Sequence, residues 1–422
     1  MGAGLQFKNI KDFISRTSVL YTFSSVIQSI VQLVSGLLIA NFIVPADYGI
    51  WNKYYLLLTY LSFLQLGANS GLNLELPLAI GRKDYSRVNL VVGSAQFFYL
   101  ILLVILLFVG IVITISNPFE GKLDMYSFIG VWLVLIFTFY QNYLLATFRT
   151  NNSFRSLAQI NFLQSVLNLT LTSLIVYFFI YGLILKSVIT IILYVLLLHF
   201  KRPYKISLNF DWNSFKSLLM SGGPIFLLSY FQITALNFDK LIIVHFETDK
   251  SLGIYSFAYL GFSSITIFST SLATYIYPKL SEMVGSNASG DVLWKYIKGI
   301  VPKLILILLF LAGVGAFIGP LLINHYFPNY KESNQLLKIL LFAGAINGSL
   351  IGINLLLSLK KWKLIVSYYV VFIIVTILSQ IISFLIFHTL ESLAVGVLIS
   401  NIIMVVFGYY LVYLATKNHN NI

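Results

Sequence analysis

Long apolar segments separated by short polar loops run along almost the whole chain. Each segment holds about 18 to 28 residues, which is enough for an α-helix to cross roughly 30 Å of hydrocarbon. The segments predict spans at 18–43, 48–73, 90–115, 126–148, 158–180, 183–200, 217–246, 252–278, 301–324, 335–359, 364–388 and 393–416. This pattern predicts an all-α membrane protein with twelve transmembrane helices.

The composition agrees with this prediction and narrows the chemistry. Of 422 residues, 59% are hydrophobic and 10% are charged, whereas soluble domains carry about 25% charged residues. The chain has no cysteine and its 5 histidines are scattered, so we expect no disulfide, no metal site and no cofactor. No loop is long enough to form a soluble domain, and no nucleotide-binding or nucleophile motif occurs, which argues against an enzyme.

The net charge of +13 comes mainly from basic residues in alternate loops. With the N-terminus in the cytoplasm, the basic residues outside are Lys122, Lys186, Lys250, Lys331 and Lys338. Lys53 and Lys240 lie within spans, and the other basic residues fall in cytoplasmic segments. Because cytoplasmic loops are rich in Lys and Arg, this distribution predicts a multi-pass protein of the bacterial cytoplasmic (inner) membrane with both termini in the cytoplasm. It also makes the positive charge a topological signal rather than a sign of a nucleic-acid partner.

The sequence repeats itself at a shift of 204 residues, which places Tyr48-Gly-Ile-Trp51 on Leu252-Gly-Ile-Tyr255. Six spans return the chain to its starting side, so the halves are predicted to be parallel repeats. We expect an N-terminal six-helix lobe at 1–200, a cytoplasmic linker at 201–216 and a C-terminal six-helix lobe at 217–422. The turn between the fifth and sixth spans, at Tyr181-Gly182, is tight, so eleven spans is the alternative; it would spoil the repeat and the charge pattern.

Polar side chains form stripes along the first, second, seventh and eighth spans, which are equivalent helices of the two repeats. Polar groups that face lipid cost free energy, so these stripes should face protein or a water-filled cavity. The predicted cavity residues are Ser25, Gln28, Gln32, Asn52, Tyr55, Thr59, Ser62, Gln65, Ser229, Gln232, Tyr259, Ser263 and Thr266. The alternative is that the stripes form hydrogen bonds between helices.

Charged and helix-breaking residues within the spans are candidates for function. Asp239 is the predicted ion-coupling residue, because a buried carboxylate can bind a proton or Na⁺; its alternative is a structural carboxylate. Lys240 lies off the polar stripe and reaches outward or towards another helix. Gly222, Gly223 and Pro224 predict a hinge in the seventh span, or a tolerated packing kink.

Two stretches of the chain resemble the polysaccharide transporter family. They are Leu37–Trp51, with Pro45-Ala-Asp-Tyr-Gly-Ile-Trp51, and Phe238–Phe246 followed by Leu252–Ala258 and Tyr277-Pro278. That family contains the Wzx-type O-antigen and exopolysaccharide flippases, in the superfamily that also holds multidrug extruders and lipid II flippases. The resemblance implies two six-helix lobes around a hydrophilic cavity lined by the first, second, seventh and eighth spans.

The resemblance also implies a function and a set of partners. The protein would move undecaprenyl-diphosphate-linked sugar repeat units for O-antigen, capsule or exopolysaccharide from the cytoplasmic to the outer leaflet, by alternating access driven by H⁺ or Na⁺. Arg16, Lys53 and Lys240 are then the diphosphate candidates; the alternatives are that Arg16 is a topology determinant and that Lys53 is interfacial. Partners would be the lipid-linked oligosaccharide, the bilayer, and the polysaccharide polymerase and chain-length machinery. The alternatives are a multidrug or small-solute antiporter and, more distantly, a membrane polymerase or ligase.

Overall fold

A computed structural model describes residues 17–151, 153–205, 209–286 and 288–419, and every regular element in these ranges is helical. The first helices are α1 (Thr17–Phe42), α2 (Pro45–Leu61), α3 (Ala68–Gly81), α4 (Tyr85–Ser116), α5 (Lys122–Thr150), α6 (Phe154–Leu171) and α7 (Ser173–Phe200). They are followed by α8 (Trp212–Leu236), α9 (Phe238–Phe246), α10 (Asp249–Gly285), α11 (Gly290–Tyr326), α12 (Asn334–Gly348), α13 (Asn354–Ser358), α14 (Trp362–Phe387) and α15 (Leu390–Lys417).

Nine of the helical segments in the described ranges are long and apolar enough to cross a membrane. The other three predicted spans are also helical: they correspond to α1, to α2 with α3, and to α6 with the first turns of α7. The all-helical prediction is therefore confirmed.

The fifth and sixth spans are separated by a reversal at Phe179, where φ is 49° and ψ is −125°. Gly182 lies so close to Leu174 that a Cβ on this glycine would be 2.3 Å from the Leu174 carbonyl oxygen. In a continuous helix, positions eight residues apart would be about 12 Å apart along the axis. The chain therefore reverses at Phe179, three residues before Gly182, where the predicted turn ends. The fifth and sixth spans are thus separate helices, and the eleven-span alternative does not apply.

The chain packs as two units that do not follow the midpoint of the sequence. One unit contains residues 1–39 and 60–229, and the other contains residues 40–59 and 230–422. Nearly all of α2 thus packs with the C-terminal helices, and most of α8 packs with the N-terminal helices. The predicted lobe boundaries at 200 and 217 describe the sequence repeat, whereas these two units describe which helices pack together. The lobe boundaries therefore stay predictions.

The first unit has a core of tightly packed α4, α5 and α7. Tyr99 and Tyr143 are almost fully buried there, with ring centroids 5.9 Å apart. Trp132 closes the contact between α5 and α4 by donating its indole N–H to the Leu106 carbonyl at 2.7 Å. Gly110 leaves room for that indole, since a Cβ at this position would lie 2.4 Å from the Trp132 Nε1.

The second unit buries its apolar surface mainly between α10, α11, α12, α14 and α15. Its α2 segment is held by Tyr330, which is fully buried, packs on Phe257 with ring centroids 4.5 Å apart and donates to the Ile43 carbonyl at 3.0 Å. α2 and α10 cross where Gly49 meets the Asp249 backbone and Gly253 meets the Pro45 backbone. This crossing fixes the start of α10, the helix that carries part of the candidate site.

Candidate functional site

A buried carboxylate forms the centre of the candidate site. Asp239 lies in the first turn of α9, just after the helix break at Asn237, and is fully buried. Its Oδ2 accepts a hydrogen bond from the Tyr255 hydroxyl at 2.6 Å, and its Oδ1 accepts one from the Lys240 backbone N–H at 2.8 Å. An ionised carboxylate has about four acceptor sites, so these two donors leave capacity for a proton or a cation.

The Lys240 ammonium makes its close contacts with neutral groups. Its Nζ lies 3.1 Å from Asn237 Oδ1 and 4.1 Å from the centroid of the Tyr259 ring. An amide oxygen and an aromatic face orient an ammonium without neutralising it. Among the described residues, no carboxylate lies within ion-pair distance of Lys240 Nζ. The site therefore presents a half-buried positive charge beside a separate buried acid.

The other predicted residues of this unit lie on α2, α8 and α10. Ser263 and Thr266 follow Tyr259 along α10, and Thr266 donates to the Ser263 carbonyl at 2.9 Å. Asn52 donates to the Tyr48 carbonyl at 2.7 Å, and Lys53 lies 3.6 Å from the Asp249 carboxylate. Of the remaining predicted residues, Tyr55 is exposed, and Thr59 and Gln232 are half-buried. Their role in a cavity stays a prediction.

The predicted residues of the first unit make contacts between neighbouring helices. Gln28 donates to the Gln164 side chain at 2.7 Å, and Gln65 accepts from Asn142 at 3.3 Å. Gln32 is exposed, and Ser62 and Ser229 are half-buried. Arg16 and the side chain of Ser25 lie outside the described residues. Both interpretations of these stripes, cavity lining and interhelical hydrogen bonding, stay open for the described residues.

The predicted hinge lies within an unbroken helix. α8 continues through Gly222, Gly223 and Pro224, and the chain leaves helical geometry only at Asn237. Gly222 packs against α3, since a Cβ on it would be 2.2 Å from the Gly71 backbone nitrogen, whereas nothing lies within 4 Å of a Cβ on Gly223. Gly222 therefore has a packing role, and a hinge at these residues stays a prediction.

Several polar residues of the structure were not singled out in the sequence. Lys186, expected outside, is instead buried in α7 with 5% exposure and donates to the Ser35 hydroxyl, which gives its ammonium a polar partner. Tyr255 was visible only as the counterpart of Trp51 in the repeat. A signal for its pairing with Asp239 was nevertheless present, because a buried acid requires a donor from a neighbouring helix.

A polar cluster also ties the start of α8 to α3 and α4. The Arg87 guanidinium lies 3.3 Å from the Glu75 carboxylate and donates to Ser214 at 2.9 Å, while Ser217 donates to Glu75 at 3.0 Å. Hydrogen bonds from the Ser214 side chain and backbone lower the pKa of Asp211, which lies just before α8. This cluster fixes the entry of α8 into the first unit.

The architecture has counterparts among solved structures. An inward-facing multidrug resistance MATE family transporter of the MOP superfamily aligns with a TM-score of 0.73 and 14% identity, over 93% of this chain and 96% of that one. The lipid II flippase MurJ, in an inward closed conformation, aligns with a TM-score of 0.68 and 15% identity, over 95% and 90%. A MOP superfamily transporter from Pyrococcus furiosus gives 0.61 and 16%, over 97% and 96%. No curated protein gives a significant match.

These likenesses establish the fold: the chain is a multi-pass membrane protein with the twelve-helix repeat architecture of MOP superfamily transporters, as the sequence predicted. The sequence then gives the family. The chain belongs to the polysaccharide biosynthesis protein family, whose sequence model matches residues 38–300, more than half of the chain. The chain is therefore a membrane protein of a polysaccharide biosynthesis family, with a fold shared by solved transporters and by a lipid flippase.

Proposed function

We propose that this protein is a flippase for undecaprenyl-diphosphate-linked oligosaccharide repeat units of O-antigen, capsule or exopolysaccharide. It would carry them from the cytoplasmic to the outer leaflet of the bacterial cytoplasmic membrane by alternating access, with both of its termini in the cytoplasm. The observation that carries the proposal is Lys240, a half-buried cation that forms no ion pair within the described residues, in a chain of the polysaccharide biosynthesis family.

The physical need for such a protein is clear from the substrate. A glycan that crossed hydrocarbon unaided would lose its hydrogen bonds to water, at roughly 2–7 kcal/mol for each unpaired polar group. Polar residues of α2, α8 and α10 would replace those bonds, while the prenyl tail stayed in lipid. The Lys240 ammonium would attract the diphosphate, since its own partners are neutral.

Asp239 would couple the cycle to an ion gradient. Its two donors, Tyr255 and the Lys240 backbone, hold the carboxylate in place and leave acceptor sites for H⁺ or Na⁺. One charge that moves through the membrane potential gains roughly 2.3 kcal/mol per 100 mV. We further propose that the polysaccharide polymerase and chain-length machinery receive the flipped product.

Loss of the gene tests the proposal directly. In a deletion strain, lipid-linked repeat units should accumulate in the cytoplasmic leaflet, and mass analysis of that lipid should identify the sugars. Complementation with the wild-type chain should clear the accumulated lipid, whereas Lys240→Met should clear it poorly. A deletion strain with no such accumulation would overturn the flippase proposal.

The second candidate function is a multidrug or small-solute antiporter. It is favoured by the alignment with a MATE family transporter over nearly the whole of both chains. The same strain separates the two functions, because an antiporter deletion should raise drug sensitivity without accumulation of lipid-linked sugar.

A further inference from the structure

A basic cavity lies in the second unit, on elements that carry none of the candidate site residues. It has a volume of about 420 Å³ and is bounded by the turn between α13 and α14 and by the end of α15. The turn contributes Lys360, Lys361, Trp362 and Lys363, and α15 is followed there by Asn418. Three lysine residues thus line one small cavity.

The backbone of the turn brings these lysines together. Lys360 has a positive φ of 54°, and Lys361 donates its N–H back to the Leu356 carbonyl at 3.1 Å. Trp362 then donates to the Lys360 carbonyl at 2.9 Å and begins α14. The chain therefore reverses within a few residues, and the three lysines follow one another in this turn.

These lysines have few acidic residues in their part of the sequence. Glu282 follows Ser281, which is hydrogen-bonded to Ser358 at 3.0 Å, but Glu282 pairs with Lys279 at 3.1 Å. From Ser333 to the C-terminus the sequence contains a single acidic residue, Glu391. Glu391 lies in the first turn of α15, whereas the cavity lies beyond the last turn of this 28-residue helix, about 40 Å away along its axis. Within the described residues, none of the three lysines forms an ion pair.

The lysines lie at the start of α14, where ammonium groups are electrostatically unfavourable unless an anion binds beside them. The N-terminus of a helix carries a partial positive charge, and its first N–H groups lack intrahelical acceptors. α14 has no acidic residue in its first turn and instead has Lys363 there. Trp362 and Leu364 already donate their N–H groups to the Lys360 and Lys361 carbonyls. The ammonium groups and the positive end of the helix would therefore attract a phosphate.

The apolar surface beside the cavity indicates that the phosphate belongs to a lipid. The Trp362 side chain is 53% exposed and Leu357 is 40% exposed. Tryptophan is enriched at the level of lipid headgroups, and basic pockets between transmembrane helices bind anionic headgroups. We propose that this cavity binds the headgroup phosphate of an anionic phospholipid, with Trp362 against the adjoining acyl chains.

Lipid titration of the full-length protein tests this proposal. The purified chain, stripped of lipid in neutral detergent, would be titrated with short-chain phosphatidylglycerol and observed by native mass spectrometry. The triple variant Lys360→Gln, Lys361→Gln, Lys363→Gln should bind phosphatidylglycerol at least about tenfold more weakly than wild type. Phosphatidylcholine, which has no net charge, should bind both proteins equally weakly.

A matched control removes the same charge elsewhere. Lys201→Gln, Lys205→Gln, Lys216→Gln changes three exposed lysines that do not line the cavity and should bind as wild type does. The variant with arginine at 360, 361 and 363 should also retain binding, which separates loss of charge from loss of folding. Equal binding by the wild type and the glutamine variant at 360, 361 and 363 would overturn the proposal. So would binding of soluble glycerol phosphate as tight as that of the lipid, because the ligand would then be a soluble phosphate.

Discussion

Gly49 and Gly253 are equivalent positions of the internal repeat, and each packs against the helix that carries the other. A Cβ on Gly49 would lie 1.7 Å from the Asp249 carbonyl oxygen, and a Cβ on Gly253 would lie 1.8 Å from the Pro45 carbonyl oxygen. Pro45 and Asp249 are also repeat equivalents, at the same shift of 204. The crossing of α2 and α10 is therefore reciprocal, and each repeat supplies one glycine that lets the two backbones touch.

Substitution of either glycine should destabilise the second unit. Gly49→Ala or Gly253→Ala places a methyl group where backbone atoms already lie, so α2 and α10 must separate, at a cost of about 1–3 kcal/mol or more. Thermal unfolding of the purified protein in detergent should show a lower midpoint for both variants.

Gly299→Ala provides the control, because nothing lies within 4 Å of a Cβ at that position in α11. An alanine there should leave the unfolding temperature unchanged or raise it slightly. Equal midpoints for the Gly49, Gly253 and Gly299 variants would show that the crossing is looser than described.

The adjacent glycines of α8 should respond in opposite ways. Gly222→Ala clashes with the Gly71 backbone and should lower stability, whereas Gly223→Ala has open space and should raise it by about 0.5–1 kcal/mol through better helix propensity. Unfolding temperatures of the two variants check this. If Gly223 also acts as a hinge, the stabilised Gly223→Ala protein should transport more slowly; unchanged transport would count against the hinge.

Substitutions of Asp239 and Tyr255 should have different effects, the first on ion coupling and the second on stability. Asp239→Asn removes the ionisable group, so residual transport in vesicles should no longer depend on an imposed H⁺ or Na⁺ gradient. Tyr255→Phe removes only the donor at 2.6 Å and should cost about 1–3 kcal/mol of stability while the gradient dependence persists. Gradient-dependent transport by Asp239→Asn at the wild-type level would show that the coupling residue lies elsewhere.

Lys240 and Lys53 should differ in their importance for an anionic substrate. The Lys53 ammonium lies 3.6 Å from the Asp249 carboxylate, whereas the contacts of Lys240 are neutral. Flipping of a diphosphate-linked lipid in proteoliposomes should therefore fall at least about tenfold for Lys240→Met and less for Lys53→Met. Lys240→Arg keeps the charge and should restore part of the activity; an arginine variant as inactive as the methionine variant would argue for a packing role.

Hydrophobic periodicity predicted the architecture well because a membrane span needs a fixed length of apolar chain, which is a local property of the sequence. The twelve spans and the repeat were visible in this way. Asp239 and Lys240 also stood out, since charged residues within spans are rare. The partners of these side chains could not be predicted without the fold. Tyr255 of α10 donates to Asp239, 16 positions earlier, and this pairing depends on how α9 and α10 pack.

Helix breaks were the features that the sequence predicted least well. Gly222, Gly223 and Pro224 predicted a hinge or a tolerated packing kink in the seventh span; α8 runs through them, and the hinge stays a prediction. The second span is interrupted instead at Leu66 and Gly67, where φ is 49° and 83°. Leucine gives no sign of a left-handed conformation, and the Gly67 backbone approaches Gly223, a contact between distant segments that no local pattern reveals.

The assignment of residues 40–59 to the second unit has a consequence for the order of biosynthesis. The Ile43 carbonyl accepts its hydrogen bond from Tyr330, which is 287 positions later in the chain. When α2 leaves the ribosome, the surface that will cover it has not yet been translated. Residues 40–59 must therefore stay partly unpacked until the C-terminal half is inserted, so assembly of the second unit is completed only near the end of synthesis.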